Sequence, residues 1–391
     1  MSNAYVLAAY RTAATKAYKG HFKDTRPDDL AAAAIKGLLE RTGVDPAQVE
    51  DVILGCAFPE AEQGMNMARI ASFKAGLPYQ VPAQTVNRFC SSGLQSIASA
   101  AERIMAGFAD CIVAGGAESM SMIPMGGEKF APNPGLIAGW PETYAAMGVT
   151  AEILVSSYAI SREEQDRFAL ESHRKAADAI ASGRFDEEII PVEAEKCTSE
   201  GGKPRCRKEL VTADDGVRSD TTLEALAKLK PAFKASGTVT AGNSSQMTDG
   251  AAAALVVSEE FLKKIGKKPM ARFRGYSVKG VPPEVMGIGP IEAIPAVLAR
   301  SGVKQEEVGL IELNEAFAVQ SLICIRELGL DPARVNVNGG AIALGHPLGC
   351  TGTKLTATIL HEMRRRGSRY GLVSMCVGGG MGAAGLFELV D

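Results

Sequence analysis

The segment Arg41-Thr-Gly-Val-Asp-Pro-Ala-Gln-Val49 returns in altered form as Arg300-Ser-Gly-Val-Lys-Gln-Glu-Glu-Val308. Each copy leads into an apolar, strand-like run, and the copies lie 259 residues apart, Arg41 to Arg300. At that offset Gly93 falls on Gly352, each in a glycine-containing start to a helix, and Asn87 falls on His346. Several matches at one spacing point to duplicated halves. A chain of 391 residues, 46% of them hydrophobic, can bury the core that two or three structural units need.

Apolar runs alternate with helical stretches. Residues 5–9 read as a short strand, 28–40 as a helix opened by Asp28 and Asp29, and 51–55 as a buried strand. Residues 81–86 read as a strand, 91–106 as a helix, and 110–114 as a buried strand ending at Gly115-Gly116. Such alternation argues for an α/β fold. Residues 119–243 differ, being richer in Pro, Gly and charge. They hold a polar helix at 161–182, with Ser161 and Glu164 spaced as a capping box, and a charged stretch at 193–218. This region reads as an insertion that folds over the site, the alternative being a plain surface excursion. The expected division is 1–118 plus 244–270 for the first core half, 119–243 for the inserted loop domain, and 271–391 for the second core half.

Charge excludes some partners. With 42 basic and 45 acidic residues the net charge is −3, which gives no footprint for nucleic acid or a membrane surface. No uncharged apolar run reaches about 18 residues, so no membrane-spanning helix is expected. The first residues read as a strand rather than a secretory leader, and a cytoplasmic location is expected. Eight cysteines are scattered with no C-x-x-C pair. Neither a disulfide framework nor a zinc site is expected, and each cysteine is by default a small buried hydrophobe.

Four segments stand out. In Asn87-Arg-Phe-Cys90-Ser-Ser-Gly93 a strand runs through a small-residue turn into a helix, placing Cys90 near a helix start. The partial positive charge there favours a thiolate, and free N–H groups can hold an oxyanion. An inert buried thiol is the alternative. In Asn336-Val-Asn-Gly-Gly-Ala-Ile-Ala-Leu-Gly-His346-Pro-Leu-Gly-Cys-Thr-Gly352, His346 sits between Gly345 and Pro347 ahead of a helix that Gly352 begins. A rigid turn suits a general base, or simply a structural histidine. The other histidines fall in a polar loop (His21) or in charged helical stretches (His173, His361) that read as solvated. Leu372-Val-Ser-Met-Cys376-Val-Gly-Gly-Gly-Met-Gly382 ends an apolar strand in a cysteine followed by glycines, which let backbone N–H groups approach a ligand. It lacks the marks of a P-loop or dinucleotide fingerprint. Finally, Glu312-Leu-Asn314-Glu-Ala-Phe317 places an amide at a strand end, where it holds a water or caps the next helix.

Taken together these segments resemble the thiolase family, over essentially the whole chain. The matching motifs are Val86-Asn-Arg-Phe-Cys-Ser-Ser-Gly93, Asn314-Glu-Ala-Phe317, Gly345-His-Pro-Leu-Gly349 and Cys376-Val-Gly-Gly-Gly380. Thr238-Val-Thr-Ala-Gly-Asn243-Ser-Ser-Gln-Met-Thr-Asp249 resembles the family's return from the loop domain to the core. The resemblance implies a thiolase fold, a duplicated five-layer αβαβα core with an inserted loop domain. It implies ping-pong acyl transfer with Cys90 as nucleophile, His346 as its base and Cys376 as the acid or base at the second carbon. Asn314 and His346 would hold the enolate oxygen, and the Cys90 and Gly378 N–H groups the other oxyanion. Arg218 would lie near the adenosine of coenzyme A and Ser245 near the pantetheine. Met286, Ala316 and Phe317 would line the channel and Met147 the acyl end. Acyl-CoA and CoA are implied as substrates, with no metal or organic cofactor. A homodimer or homotetramer is implied, and degradative members also join a fatty-oxidation complex.

Ala145-Ala146-Met147-Gly148 departs from biosynthetic members, where a histidine precedes the methionine. With Glu118-Ser-Met-Ser-Met-Ile-Pro-Met125, it resembles the degradative 3-ketoacyl-CoA thiolases of β-oxidation. An acetoacetyl-CoA-forming acetyltransferase is the near alternative. A ketoacyl synthase is disfavoured by Cys376, and a non-catalytic acyl-CoA or lipid-binding relative by the presence of Cys90 and His346.

Overall fold

The computed structural model describes residues 2–200 and 203–390. In chain order its elements are β1 (Ala4–Arg11), β2 (Thr15–Lys16), α1 (Pro27–Thr42), β3 (Asp51–Gly55), α2 (Met67–Lys74), β4 (Ala83–Val86), α3 (Ser92–Met105) and β5 (Cys111–Ser119). Then come α4 (Pro134–Gly139), α5 (Met147–Tyr158), α6 (Arg162–Ala181), the ribbon β6 (Val192–Glu200) and β7 (Lys203–Val211), and α7 (Leu223–Ala227). The rest are β8 (Thr248–Ser258), α8 (Glu259–Ile265), β9 (Ala271–Gly280), α9 (Gly289–Ser301), β10 (Val308–Leu313), α10 (Ala318–Glu327), α11 (Ala341–Leu344), α12 (Leu348–Arg366), β11 (Tyr370–Val377) and β12 (Met381–Leu389).

One hydrogen-bonded path runs β10-β11-β12-β9-β1-β8-β5-β3-β4, with β2 on β8. It is almost cut at its middle, where β1 and β9 share only the pairs Tyr5↔Arg272 and Val6↔Ala271. The two sides repeat one pattern. Parallel strands β4, β3 and β5 lead into antiparallel β8 and β1. Parallel β10 and β11 lead into antiparallel β12 and β9. Helices α3 and α12 lie together and touch strands of both half-sheets, while α1 covers the outer face of one and α9 the outer face of the other. This is the duplicated five-layer α-β-α-β-α architecture that the sequence resemblance implies. β5 and β8 are buried along their whole length because helices cover both faces.

Glycines let the central pair approach. A Cβ on Gly116 would stand 2.1 Å from the carbonyl oxygen of Gly349, and one on Gly352 would stand 2.2 Å from the Leu94 nitrogen. Real side chains do not tolerate such distances against backbone. The hydroxyl of Thr353 closes the seam by donating to the Gly93 carbonyl at 2.9 Å.

The inserted region is stapled to the core by a buried cation. Arg11, fully buried at the end of β1, donates to Glu188 at 2.5 Å and to both oxygens of Asp214 at 2.7 and 2.9 Å. Asp214 also accepts the Ala14 N–H at 2.7 Å. Removing either carboxylate would strand a buried guanidinium. The helix α6 carries the expected capping box between Ser161 and Glu164.

Several expectations need correction. β5 does not end at Gly115-Gly116 but continues to Ser119; Gly116 is where α12 crosses the strand, and Gly115 lies against Ala252 of β8. Gly352 does not begin its helix; α12 starts at Leu348, and Gly352 lies a turn inside it, against Leu94. His173 and His361 are buried, not solvated. His173 accepts the Arg218 N–H at 3.1 Å, and His361 reaches the Ala9 carbonyl at 3.3 Å. Cys206 is disulfide-bonded, a pairing that the wide cysteine spacing does not announce. In the charged stretch 193–218, residues 201 and 202 lie outside the described residues. Among the described residues no helix is long and apolar enough to cross a membrane.

Gly116→Ala is expected to destabilise the protein by about 3 kcal/mol or more, since neither backbone at the seam can yield cheaply. The shift in urea midpoint at unchanged slope measures it.

Candidate active site

The site forms where the starts of the two central helices meet. Cys90 lies in a single helical turn, Phe89–Ser91, immediately before α3. That turn is strained. Phe89 has φ of 42°, a left-handed conformation unfavourable for an aromatic residue. Side chains on either side hold it. Asn87 accepts the Phe89 N–H at 2.8 Å, and the Ser92 hydroxyl accepts the Arg88 N–H at 2.8 Å while donating to the Phe89 carbonyl at 2.7 Å.

Cys90 is half-buried against Phe58, Ala57, Met120 and Leu348. Burial pushes its thiol up to about 11, although the backbone N–H groups of Gly378 and of Cys90 itself donate to the sulfur and pull the other way. Desolvation thus outweighs the helix start, and the resting nucleophile is a thiol. Cys376, buried at the end of β11, is held well above the ordinary thiol range by burial and by its neighbour Cys90. The geometry therefore joins Cys90, Gly378 and Cys376.

His346 lies between Gly345, at φ of 83°, and Pro347. Its N–H donates to the Gln246 carbonyl at 3.0 Å. Its ring is fixed at both nitrogens. Nδ1 is 2.6 Å from the Thr351 hydroxyl, which itself donates to the Pro347 carbonyl at 3.0 Å. That hydroxyl has one proton and spends it on the carbonyl, so Nδ1 carries the hydrogen. Nε2 is then free to accept, and the Asn314 amide faces it at 3.3 Å. Burial first, and the charge of Lys354 second, hold the imidazole down to about 3. The ring is neutral at neutral pH, as a general base must be. Asn314 sits just past β10, its N–H bonded to the Ser374 carbonyl at 2.9 Å. It caps no helix, since α10 begins at Ala318 with Phe317 as its cap. Its Oδ1 is buried with no hydrogen-bond partner among the described residues.

The channel residues also converge. Met147, Met286, Ala316, Phe317 and Cys376 belong to one apolar cluster. Ser245 joins it through its N–H to the Ala316 carbonyl at 2.9 Å. Phe233, not singled out from sequence, meets Phe317 edge-on at 6.0 Å. Arg218 is not drawn into this cluster. Its side chain is exposed and its backbone rests on His173. Thr351 and Glu118 are the polar residues that sequence reasoning misses. Thr351 lies one helical turn past Pro347, and Glu118 is a carboxylate inside an otherwise apolar strand. Among the described residues no cluster of metal-ligating side chains occurs.

Comparison with known proteins points to one family. Residues 4–260 match the family model for the thiolase N-terminal domain, and residues 267–389 match that for the thiolase C-terminal domain. The chain is 55% identical to a 3-ketoacyl-CoA thiolase of Bacillus subtilis (strain 168), covering 100% of both chains. It is 46% identical to the peroxisomal 3-ketoacyl-CoA thiolase of Homo sapiens, covering 98% of this chain and 90% of that one. The fold superimposes on the acetyl-CoA acetyltransferase of Bacillus anthracis with a TM-score of 0.90 at 41% identity, covering 100% of this chain and 99% of that one. It also superimposes on human mitochondrial 3-ketoacyl-CoA thiolase in complex with CoA, with a TM-score of 0.89 at 39% identity, covering 100% and 98%.

Because the Cys90 thiol titrates toward about 11, its alkylation by iodoacetamide should keep rising with pH beyond 9, with no plateau near 7. Thr351→Val should slow alkylation at pH 7 by about tenfold or more, by freeing the imidazole to take the wrong tautomer, while Thr351→Ser stays near wild type. A plateau near 7 would mean a resting thiolate–imidazolium pair.

Proposed function

The chain belongs to the thiolase family, and we propose that Cys90 is the nucleophile with which it cleaves 3-ketoacyl-coenzyme A. The chain is an acyltransferase of the 3-ketoacyl-CoA thiolase kind, acting in fatty-acid β-oxidation. The observation that carries the role of Cys90 is its placement: a thiol under the Gly378 N–H, beside a second thiol at Cys376.

The residues divide the chemistry between them. His346 Nε2 takes the proton of Cys90, and the thiolate attacks the 3-keto carbon. Negative charge on that oxygen is met by the N–H groups of Cys90 and Gly378. The bond between the second and third carbons then breaks, its electron pair passing to the second carbon as the enolate of acetyl-CoA. Cys376 gives that carbon its proton, a task suited to a thiol whose pKa burial has raised. The enolate oxygen is met by His346 and by a water held on Asn314. Free CoA, deprotonated in turn by the Cys376 thiolate, attacks the acyl-Cys90 thioester and releases the shortened acyl-CoA, while the departing Cys90 thiolate takes its proton back from His346. A thiol serves because it is both a good nucleophile and a good leaving group. Two thiols and an imidazole supply nucleophile, acid and base, so the reaction needs no metal or organic cofactor.

Residues 119–243 serve as the CoA-covering insertion, with Ser245 near the pantetheine, Met286, Ala316 and Phe317 along the channel, Met147 at the acyl end and Arg218 outermost, near the adenosine. Thiolysis of 3-ketoacyl-CoA substrates should extend from short to long chains and should be lost by at least about 10⁴-fold in Cys90→Ala. Activity confined to acetoacetyl-CoA would instead place the enzyme with the acetyltransferases. Bound CoA with no turnover at any length would leave a binding protein.

The protein associates with a second copy through β4. That strand ends the sheet path. Beside it Met65 is 91% exposed, with Tyr79, Phe73 and Ile70 also exposed. An unpaired edge flanked by apolar side chains is a template for another strand, and a two-fold axis offers each copy the same edge. Sedimentation should give a dimer or tetramer, and Met65→Glu with Tyr79→Glu should shift it toward monomer.

A further inference from the structure

Glu118 takes no part in the chemistry above, yet its carboxylate lies between both halves of the site. It is the next-to-last residue of β5 and is only 1% exposed. No Lys or Arg pairs with it among the described residues. Every close neighbour is a donor. Oε2 accepts the Ala57 N–H at 2.7 Å and the Gly349 N–H at 2.8 Å. Oε1 accepts the Gln63 amide at 2.7 Å and the Phe58 N–H at 3.3 Å. The Gln63 orientation is fixed, since its side-chain oxygen takes the Ser119 N–H at 2.6 Å and its amide nitrogen also reaches the Phe58 carbonyl at 2.8 Å. Burial raises the carboxyl above its ordinary range, and the hydrogen bonds pull the other way: a ring of donors is complementary to a carboxylate and offers a carboxylic acid no acceptor.

Each donor leads to one side of the site. Gly349 is in the first turn of α12, three residues beyond His346 and two before Thr351, which holds the imidazole. The Ala57 carbonyl accepts the Asn87 side-chain amide at 2.9 Å, and Asn87 in turn holds the Phe89 N–H next to Cys90. The fit at Gly349 is tight. A Cβ there would stand 2.6 Å from the Cys56 Cα and 2.7 Å from the Glu118 carboxylate. A single carboxylate thus bridges the histidine turn of one half and the cysteine turn of the other.

We propose that Glu118 is a positioning residue, the buried anion that holds Cys90 and His346 in register across the seam between the two halves. The proposal rests on the thiolase reading above and adds a role to it. The charge itself is unhelpful to Cys90, because a nearby anion opposes the thiolate. What Glu118 contributes is separation and angle. Placement errors of about 1 Å cost on the order of 100-fold in rate.

The test compares wild type with Glu118→Gln, whose amide cannot accept from all four donors, and Glu118→Asp, which keeps the charge but shortens the reach. Thiolysis by wild type is measured first. Its absence would sink the proposed activity, whereas normal turnover in the variants would sink only the role of Glu118. In both variants kcat should fall about 100-fold, with KM for CoA within about threefold. Alkylation of Cys90 at pH 7 should slow about tenfold in Glu118→Gln, because alignment with His346 is lost. Faster alkylation there, or kcat restored in Glu118→Asp, would show that charge alone acts and would overturn the proposal. So would a joint loss of kcat, CoA binding and thermal midpoint, which marks a general structural role. If neither variant yields folded protein, Gln63→Leu withdraws one donor and should lower kcat about fivefold at unchanged KM. Wild-type kcat in that variant would also overturn the proposal.

Discussion

The backbone approach of α3 to α12 is the contact on which the rest of the structure depends. Cys90 precedes one helix and His346 the other, so nucleophile and base can share a site only if the two helix starts nearly touch. Gly93 and Gly352 make that distance available, Gly116 and Gly349 let α12 settle on β5 and on the residues after β3, and Thr353 fixes the pair. The surrounding sheets and the outer helices α1 and α9 keep this central layer dry and in place.

The scaffold is duplicated but the chemistry is not. At the 259-residue offset Cys90 corresponds to Gly349, His346 to Asn87, Cys376 to Ala117 and Asn314 to Gly55. The counterparts do structural work. Gly349 lets its backbone reach Glu118, Asn87 holds the strained cysteine turn, and Gly55 admits the Ser92 backbone, which a Cβ would meet at 2.3 Å. Each half thus carries reactive groups in places where the other must be small or structural. A fully symmetric sequence could supply one set of requirements or the other, not both.

Much of the fold and of the site is legible in the amino-acid sequence. The α/β alternation, β3 and β10, the capping box of α6 and the four motifs all follow from local pattern, because periodicity and turn chemistry are local properties. Legibility ends where a residue's neighbour is distant in sequence. Gly115-Gly116 reads as a strand end because glycine usually marks one, yet here Gly116 makes room for a helix more than 230 residues away. His173 and His361 sit in charged helices, but the charges lie on other faces. Glu118 escapes notice because its partner, the Gly349 N–H, lies 231 residues away; Thr351 is close to His346 in sequence, but the aim of its hydroxyl at the ring leaves no pattern. The state of Cys90 is misjudged for a related reason: a helix start is visible in sequence, whereas the enclosure that outweighs it is not.

The pairing of β1 with β8 has a kinetic consequence. Ala4 is opposite Ser258 and Arg11 opposite Ala252, so the first strand made is completed by one made some 250 residues later. Until then β1 has no strand to pair with, since its short link to β9 forms later still, and the first half-sheet stays open during synthesis. Such long-range pairing folds slowly and leaves strand edges exposed in the nascent chain. The first half therefore stays open through most of its own synthesis: the chain emerges with its opening strand unpaired and closes that sheet only after the whole inserted region has been made.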